Sequence, residues 1–167
     1  MARCICQTWR NSMISFGTTA SSRLFDNETF DRAFLKDIHS CRDTLLIESP
    51  FIRLNRVMDL LPILQKLQRK GVKVVVNTRP PEEHDDEYEQ QALEAIDLLQ
   101  SLDVEVLFTV KHHRKIAIID RETFWEGSLN ILSYYDSCEI MRRTVSAADA
   151  ESLIKFIGLN KYLMKVS

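Results

Sequence analysis

Short apolar runs alternate with helical repeats of apolar residues along much of the chain. The runs at 44–48, 72–76 and 104–108 are rich in valine, leucine or isoleucine, which is typical of buried strands. In 56–70 and 88–99 the apolar residues recur every three or four positions, which predicts amphipathic helices. This alternation predicts an α/β fold with parallel strand pairs and right-handed crossovers.

Further parts of the pattern complete the predicted fold. Asn27 can cap an early helix, and Pro62 predicts that a new helix starts inside 56–70. Later apolar positions predict strands at 116–119, 123–125 and 138–143 and a closing helix with Ala150, Leu153, Ile154 and Ile157. We therefore expect a mixed, largely parallel β-sheet sandwiched by helices.

The length of 167 residues suits a single domain. Apart from a candidate strand at 13–16, we interpret residues 1–25 as a poorly defined, loop-like N-terminal segment and 26–167 as the domain. The sequence shows neither the apolar region of a signal peptide nor an apolar run of membrane-spanning length. We expect a cytoplasmic protein that does not contact the membrane.

Charge and cysteine content narrow the function classes. The formal net charge is −2, so any site for a polyanion has to be local. The four cysteines lack a second pair at zinc spacing, which favours free thiols over a metal site.

The segment 111–130 interleaves polar groups with strand-forming residues. His113 and Lys115 are two positions apart, so their side chains can lie on one face of a strand. Ser128 and Asn130 are also two apart and follow Gly127, which lets the backbone approach a ligand closely. An imidazole, an ammonium, a hydroxyl and an amide together suit an anion with several oxygens, such as a phosphate.

These positions resemble the HKD signature of the phospholipase D superfamily, with every spacing met. The matching residues are His113, Lys115, Asp120, Gly127, Ser128 and Asn130. Residues 70–74 resemble the family's segment that enters a core strand, and Glu139 matches a family acidic residue. The sequence departs from the family at Ser137, where members often carry asparagine, and in having a single copy of the motif.

The resemblance implies an α/β/α fold and a phosphodiester transfer in two steps, without metal or cofactor. His113 would attack phosphorus and form a phosphohistidine, and a second histidine of the same kind would protonate the leaving oxygen and then activate water. Because the chain has one copy of the motif, the second His113 would come from another subunit. The resemblance therefore implies a homodimer with one site on its two-fold axis.

The resemblance also implies roles for the other motif residues. Lys115 and Asn130 would bind the non-bridging oxygens, and Ser128 would support the phosphate. Glu139 would orient His113 by accepting a hydrogen bond from its far ring nitrogen. We interpret Asp120 and Gly127 as structural support for the site.

Some assignments stay open. Arg79 follows the strand at 72–76, where open α/β sheets place ligand loops, and Arg114 belongs to a local basic set, so both are candidate substrate contacts. The side chain of His112 should point to the opposite face from His113, so we interpret His112 as a residue without a role in the reaction. A metal site from His112, His113 and Asp120 is a weak alternative, because neighbouring strand residues point apart.

Three functions are consistent with the motif. The first is a nuclease that cleaves nucleic-acid phosphodiester bonds, favoured by the small size and the local basic set. The second is a lipid phosphodiesterase or phosphatidyl transferase, which would need an apolar membrane-binding surface. The third is a non-catalytic module that binds nucleic acid beside a helicase-like or defence-system partner.

Overall fold

Seven strands form one mixed β-sheet with helices on both faces in the computed structural model, which describes residues 21–133 and 137–164. The strands are β1 (Ser21–Asp26), β2 (Thr44–Glu48), β3 (Lys73–Thr78), β4 (Glu105–Phe108), β5 (Ile116–Ile119), β6 (Thr123–Gly127) and β7 (Ile140–Val145). The helices are α1 (Asn27–Ser40), α2 (Leu54–Arg69), α3 (Asp86–Gln100) and α4 (Ala147–Ile157), with 3₁₀ turns at Pro81–Glu83 and Asn160–Leu163.

The strands follow the order β1-β7-β6-β5-β2-β3-β4 across the sheet. β3 pairs in parallel with β2 and β4, whereas the other four neighbouring pairs in the described ranges are antiparallel. The α/β class and the mixed sheet are confirmed, but the parallel share is smaller than expected. The short link 120–122 between β5 and β6 permits only a hairpin, which makes that pair antiparallel.

The two faces of the sheet are covered to different extents. α1, α2 and α3 pack on one face around a core that includes Phe34, Leu60 and the fully buried Trp125. α4 and the last 3₁₀ turn pack on the other face, against Leu46 and Ile118 among others. None of the helices in the described part of the chain is long and apolar enough to cross a membrane.

The N-terminal part of the domain differs from the prediction. Residues 21–25, expected as loop, belong to β1, which pairs along its full length with β7. Cross-strand pairing thus overrides the turn preference of Ser21 and Ser22. Helix α1 is capped by Asp26 rather than Asn27, since the Asp26 carboxylate accepts from the Thr29 backbone N–H at 2.9 Å. The candidate strand at 13–16 lies outside the described residues.

Two other boundaries also differ. Helix α2 begins at Leu54 and continues through Pro62 without the predicted restart. Pro62 is exposed, and water can replace a missing backbone hydrogen bond on the solvent side of a helix. Strand β7 begins at Ile140 rather than at 138, so Glu139 precedes the strand.

One edge of the sheet collects the strand ends that flank the motif. Glu48 pairs with Asn77 and Ile116, Ile116 pairs with Glu126, and Glu126 pairs with Arg142. We call the edge marked by these five residues the site edge. It contains the C-terminal ends of β2, β3 and β6 and the N-terminal ends of β5 and β7.

Candidate active site

His113 and Lys115 lie in the link between β4 and β5, at the site edge. His113 is exposed, whereas Lys115 is only 9% exposed. Nζ of Lys115 lies 3.2 Å from Nδ1 of His113 and donates to the His113 carbonyl oxygen at 2.9 Å. An Nδ1 atom that faces an ammonium accepts from it, so this ring position places the ring proton on Nε2. The structure therefore brings together the imidazole and the cation that the motif predicts.

The charge of Lys115 is set by its surroundings. Burial lowers the pKa of Lys115 below its ordinary value of 10.5, the Glu139 carboxylate raises it, and the Arg79 guanidinium lowers it again. The net effect is a lowered pKa. A cation with so little contact to water interacts strongly with an anion, because the local dielectric constant is low.

A cavity of about 460 Å³ opens beside His113. Its walls carry the basic side chains of His113, Arg114, Lys115 and Arg142, together with one carboxylate, Glu126. The cavity therefore offers a local excess of positive charge in a chain whose formal net charge is −2.

Gly127 is the last residue of β6, and Ser128 is the first residue of the link that leads to β7. A Cβ atom on Gly127 would lie 2.1 Å from the Ile140 carbonyl oxygen and 2.9 Å from Cα of Met141, so a side chain does not fit. The Ser128 backbone N–H donates to the Ile140 carbonyl oxygen at 3.0 Å, and the Ile140 N–H donates to the Ser128 hydroxyl at 3.1 Å. These contacts support a structural role for Gly127 and give Ser128 a structural role beside its expected phosphate contact.

Asn130 is half-buried just beyond this junction. Its side-chain oxygen Oδ1 is buried and has no hydrogen-bond partner among the described residues. A buried polar atom without a partner costs about 1–3 kcal/mol, so the hydrogen-bonding capacity of the Asn130 amide is not fully used by the described residues. The cavity walls in the described part of the chain do not include Asn130, Ser128 or Glu139.

Glu139 acts on the site through its charge. Its carboxylate accepts from the Ser137 hydroxyl at 3.1 Å, and it raises the pKa of Lys115. No hydrogen bond joins Glu139 to His113 among the residues that the structure describes. The orienting role of Glu139 therefore stays a prediction.

Asp120 lies at the other end of β5 from His113. Its carboxylate accepts from the backbone N–H groups of Arg42, Asp43 and Thr44 at 3.0, 2.8 and 3.1 Å. These bonds fix the link between α1 and β2, which supports the structural role expected for Asp120.

The weak alternative of a metal site does not match this arrangement. Asp120 is separated from His112 and His113 by the length of β5. His112 is 2% exposed, and neither of its ring nitrogens has a hydrogen-bond partner in the described ranges. The described residues contain no group of three potential ligands close enough to hold a metal ion.

We expect Asp120→Asn to lower the free energy of unfolding by about 2–3 kcal/mol at pH 7, because an amide replaces a charged acceptor of several N–H groups. Burial alone would raise the pKa of Asp120, but the hydrogen bonds from Asp43, Cys41, Arg42 and Thr44 outweigh it and lower the pKa below 3.8. The stabilisation is therefore present above pH 3.8 and is lost as the pH falls through the lowered pKa.

Urea unfolding of both proteins between pH 7 and pH 3 measures this effect. The difference between wild type and variant should shrink at the acidic end. The matched control is Asp59→Asn on the exposed side of α2, which should change stability by less than about 0.5 kcal/mol. A difference that stays constant from pH 7 to pH 3 would contradict the assigned role of the carboxylate.

The two candidate substrate arginines are both held by other residues. Arg79 Nε donates to the His112 carbonyl oxygen at 2.6 Å, which holds the link that carries His113. Arg114 donates through Nε and Nη2 to both carboxylate oxygens of Glu48, each at 2.7 Å. Arg114 also lines the cavity, whereas Arg79 does not. Whether either contacts substrate stays a prediction.

Sequence reasoning missed Glu48 and Asn77. Glu48 is fully buried at the end of β2. Asn77 is its paired residue in β3, and the Asn77 amide donates a hydrogen bond to the Glu48 carboxylate at 2.8 Å. The signal was a carboxylate at the end of the apolar run TLLIE, since charged residues are seldom buried without a partner.

Comparisons with known proteins identify a family model and a shared fold. The family described as cardiolipin synthase, PLD-like domain, matches residues 34–154. No curated protein is significantly similar to the chain.

Solved structures share the fold at low sequence identity. The structure described as a phospholipase D family member, Nuc from Salmonella typhimurium, is 15% identical with a TM-score of 0.69, over 83% of this chain and 91% of that one. NucT from Helicobacter pylori is 16% identical with a TM-score of 0.65, over 83% and 93%. TrmBL2, described as an archaeal chromatin protein with a novel mode of DNA binding, is 14% identical with a TM-score of 0.55, over 84% and 52%.

Proposed function

The chain belongs to the phospholipase D superfamily, and we propose that it is a metal-independent phosphodiesterase that hydrolyses nucleic acids. The observation that carries this proposal is the position of the buried Lys115 ammonium, 3.2 Å from Nδ1 of the exposed His113. An imidazole can attack phosphorus, and a fixed cation beside it can stabilise the charge on the non-bridging oxygens.

The proposed reaction has two displacements. Nε2 of His113 attacks phosphorus, and the bond to the leaving oxygen breaks as a phosphohistidine forms. The leaving oxygen takes a proton from His113 of a second copy of the chain. That histidine then removes a proton from water, which displaces His113 from phosphorus and releases a phosphomonoester.

Attack through Nε2 requires that the ring proton lie on Nδ1. We propose that substrate draws the Lys115 ammonium to the phosphate and that the His113 ring turns so that Nδ1 donates to Glu139. Glu139 is suited to this role because its charge already acts on Lys115. The amide of Asn130 would bind a second non-bridging oxygen.

One chain supplies one such histidine, so the mechanism requires a homodimer with a shared site. Exposed apolar side chains support an interface beside that site. Leu24 and Ile140 are 56% and 52% exposed in the cavity wall, and Phe156 is 86% exposed on α4, which packs on the same face of the sheet. We propose that a second copy covers these three side chains.

Nucleic acid is the favoured substrate class. The basic cavity suits a polyanion, and the chain shares its fold with over 90% of the Nuc and NucT structures. TrmBL2, of which this chain covers 52%, is described as binding DNA, which is consistent with a nucleic-acid ligand. The family description names cardiolipin synthase, so lipid phosphodiester transfer is the second candidate.

Purified protein incubated with single- and double-stranded DNA and RNA in EDTA tests the proposal. We expect cleavage that persists in the chelator and is lost in His113→Ala. Cleavage that vanishes with EDTA and returns with Mg²⁺ would contradict the metal-independent mechanism. Turnover of phospholipid vesicles alone would favour the lipid reaction. Binding of nucleic acid by both proteins without cleavage by either would favour the non-catalytic module.

A further inference from the structure

A buried carboxylate holds the residue between His113 and Lys115. Glu48 is fully buried and accepts two hydrogen bonds from Arg114 at 2.7 Å each and a third from Asn77 at 2.8 Å. The paired edges of a guanidinium and a carboxylate fix both distance and orientation. Arg114 can therefore move little relative to the end of β2.

Neighbouring contacts anchor the rest of this link in the same way. The Thr109 hydroxyl donates to Asn77 Oδ1 at 3.0 Å, so the Glu48 network reaches the start of the link. The Lys111 N–H donates to the Glu83 carboxylate at 2.9 Å, and the His112 carbonyl oxygen accepts from Arg79. The segment that carries the nucleophile is thus tied to the C-terminal ends of β2 and β3, although it belongs to neither helix nor strand.

Fold stability does not explain a charged residue at this position. The four residues before Glu48 in β2 are buried, and a buried ion pair is often no more stabilising than apolar side chains of similar volume. A fixed geometry is what an ion pair of this kind adds. A fixed geometry is needed here because Arg114 lies between His113 and Lys115, and these two residues must face the same phosphate.

We propose that Glu48 is a positioning residue for the reaction. By holding Arg114 against the sheet, it directs the adjacent His113 and Lys115 toward the phosphate and fixes their separation. This role rests on the proposed function of the site and adds a residue to it. Glu48 itself does not touch substrate.

The chain contains a matched control for this network. Asp37 on α1 also accepts two hydrogen bonds from an arginine, Arg143, at 2.6 and 3.0 Å, and a third from Trp125 at 2.9 Å. Asp37 lies on the face of the sheet that α1 covers, whereas Glu48 lies on the other face. Asp37 is half-buried rather than fully buried, so Asp37→Asn removes a pair of the same geometry in a more exposed position, away from the link that carries His113.

The experiment compares Glu48→Gln and Asp37→Asn in steady-state cleavage of the best nucleic-acid substrate, with thermal unfolding measured in parallel. We expect both variants to lose thermal stability. Only Glu48→Gln should lower kcat, by about 10²-fold with little change in KM, since a displacement of about 1 Å at a reacting group has an effect of that size.

Arg114→Lys provides a second measurement, because lysine keeps the charge and loses the paired geometry. We expect Arg114→Lys to lower kcat as Glu48→Gln does, and the double variant to be no worse than either single variant. Equal kcat in Glu48→Gln and Asp37→Asn, or additive losses in the double variant, would overturn the proposal.

Failure of the proposed function can be told apart from failure of this role. Measuring the NMR chemical shifts and nuclear Overhauser contacts of the His113 ring needs no turnover. A change in the contacts of the ring in Glu48→Gln, and none in Asp37→Asn, would support positioning even if the wild type cleaved no substrate. Unchanged His113 signals in both variants would overturn it even if the wild type proved to be a nuclease.

Discussion

His113→Ala should lower kcat for phosphodiester cleavage by about 10⁴-fold, because it removes both the nucleophile and the general acid of the shared site. The exposed position of His113 leaves few packing contacts to lose, so the variant should fold and unfold like the wild type. Loss of activity with unchanged thermal unfolding would separate chemistry from stability. The matched control is His39→Ala, an exposed histidine on α1, which should keep full activity.

The same variant tests whether one site uses two histidines. In a mixture that exchanges subunits, dimers of two wild-type chains form in proportion to the square of the wild-type fraction. Activity should therefore fall to about one quarter when wild type and His113→Ala are mixed equally, given random pairing. A linear fall to one half would show that each chain works alone. Sedimentation of an active monomer would overturn the shared site as well.

The local part of the site follows from sequence because its residues are close along the chain. His113 and Lys115 are two residues apart, and this short separation along the chain is enough to bring Nζ to 3.2 Å from Nδ1, although both residues precede β5 and do not lie on a strand as expected. Gly127 is also identifiable from its motif, although its physical reason, the closeness of the Ile140 carbonyl oxygen, depends on the pairing of β6 with β7.

The distant supports of the site could not be assigned in this way. Glu48 and Arg114 are 66 residues apart, and they meet only because β2 pairs antiparallel with β5. Asp120 reaches Asp43 across 77 residues for the same reason. Apolar periodicity predicts that strands exist but leaves their order in the sheet open, which is also why the parallel share was overestimated.

Strand β1 is a second feature that the sequence alone did not predict. Serines at its start favour a turn when they are considered alone. In the sheet, Ser21 and Ser22 pair with Val145 and Thr144, so their conformation is decided by residues far along the chain. Local propensity is a weak guide where a segment has a long-range partner.

Lys115→Gln should lower kcat/KM by about 10²–10³-fold, the effect of removing one strong donor to the developing charge. Lys115→Arg keeps the charge, but the larger guanidinium has to fit where a side chain only 9% exposed now lies. It should recover part of the activity. The control is Lys73→Gln. Lys73 lies at the end of β3 that is far from the site edge, and its ammonium pairs with Glu105 at 2.7 Å. This variant should not change turnover.

The pH dependence of activity provides a further test of the role of Lys115. Substrate binding requires the charged form of Lys115, so activity should fall as the pH rises through its pKa. That pKa is lowered by burial, raised by Glu139 and lowered by Arg79, and lies below 10.5. Glu139→Gln removes the charge that raises it, so the alkaline limb should move to lower pH. Arg79→Gln removes a charge that lowers it, so the limb should move to higher pH.

The opposite directions of these shifts make the test specific to Lys115. A general loss of folding would lower activity at every pH in both variants and would move neither limb in a defined direction. The limb should also be absent from the residual activity of Lys115→Gln, because glutamine does not titrate. A limb that persists in that variant, or that moves in the same direction in Glu139→Gln and Arg79→Gln, would assign the alkaline transition to another group and remove Lys115 from the proposed mechanism.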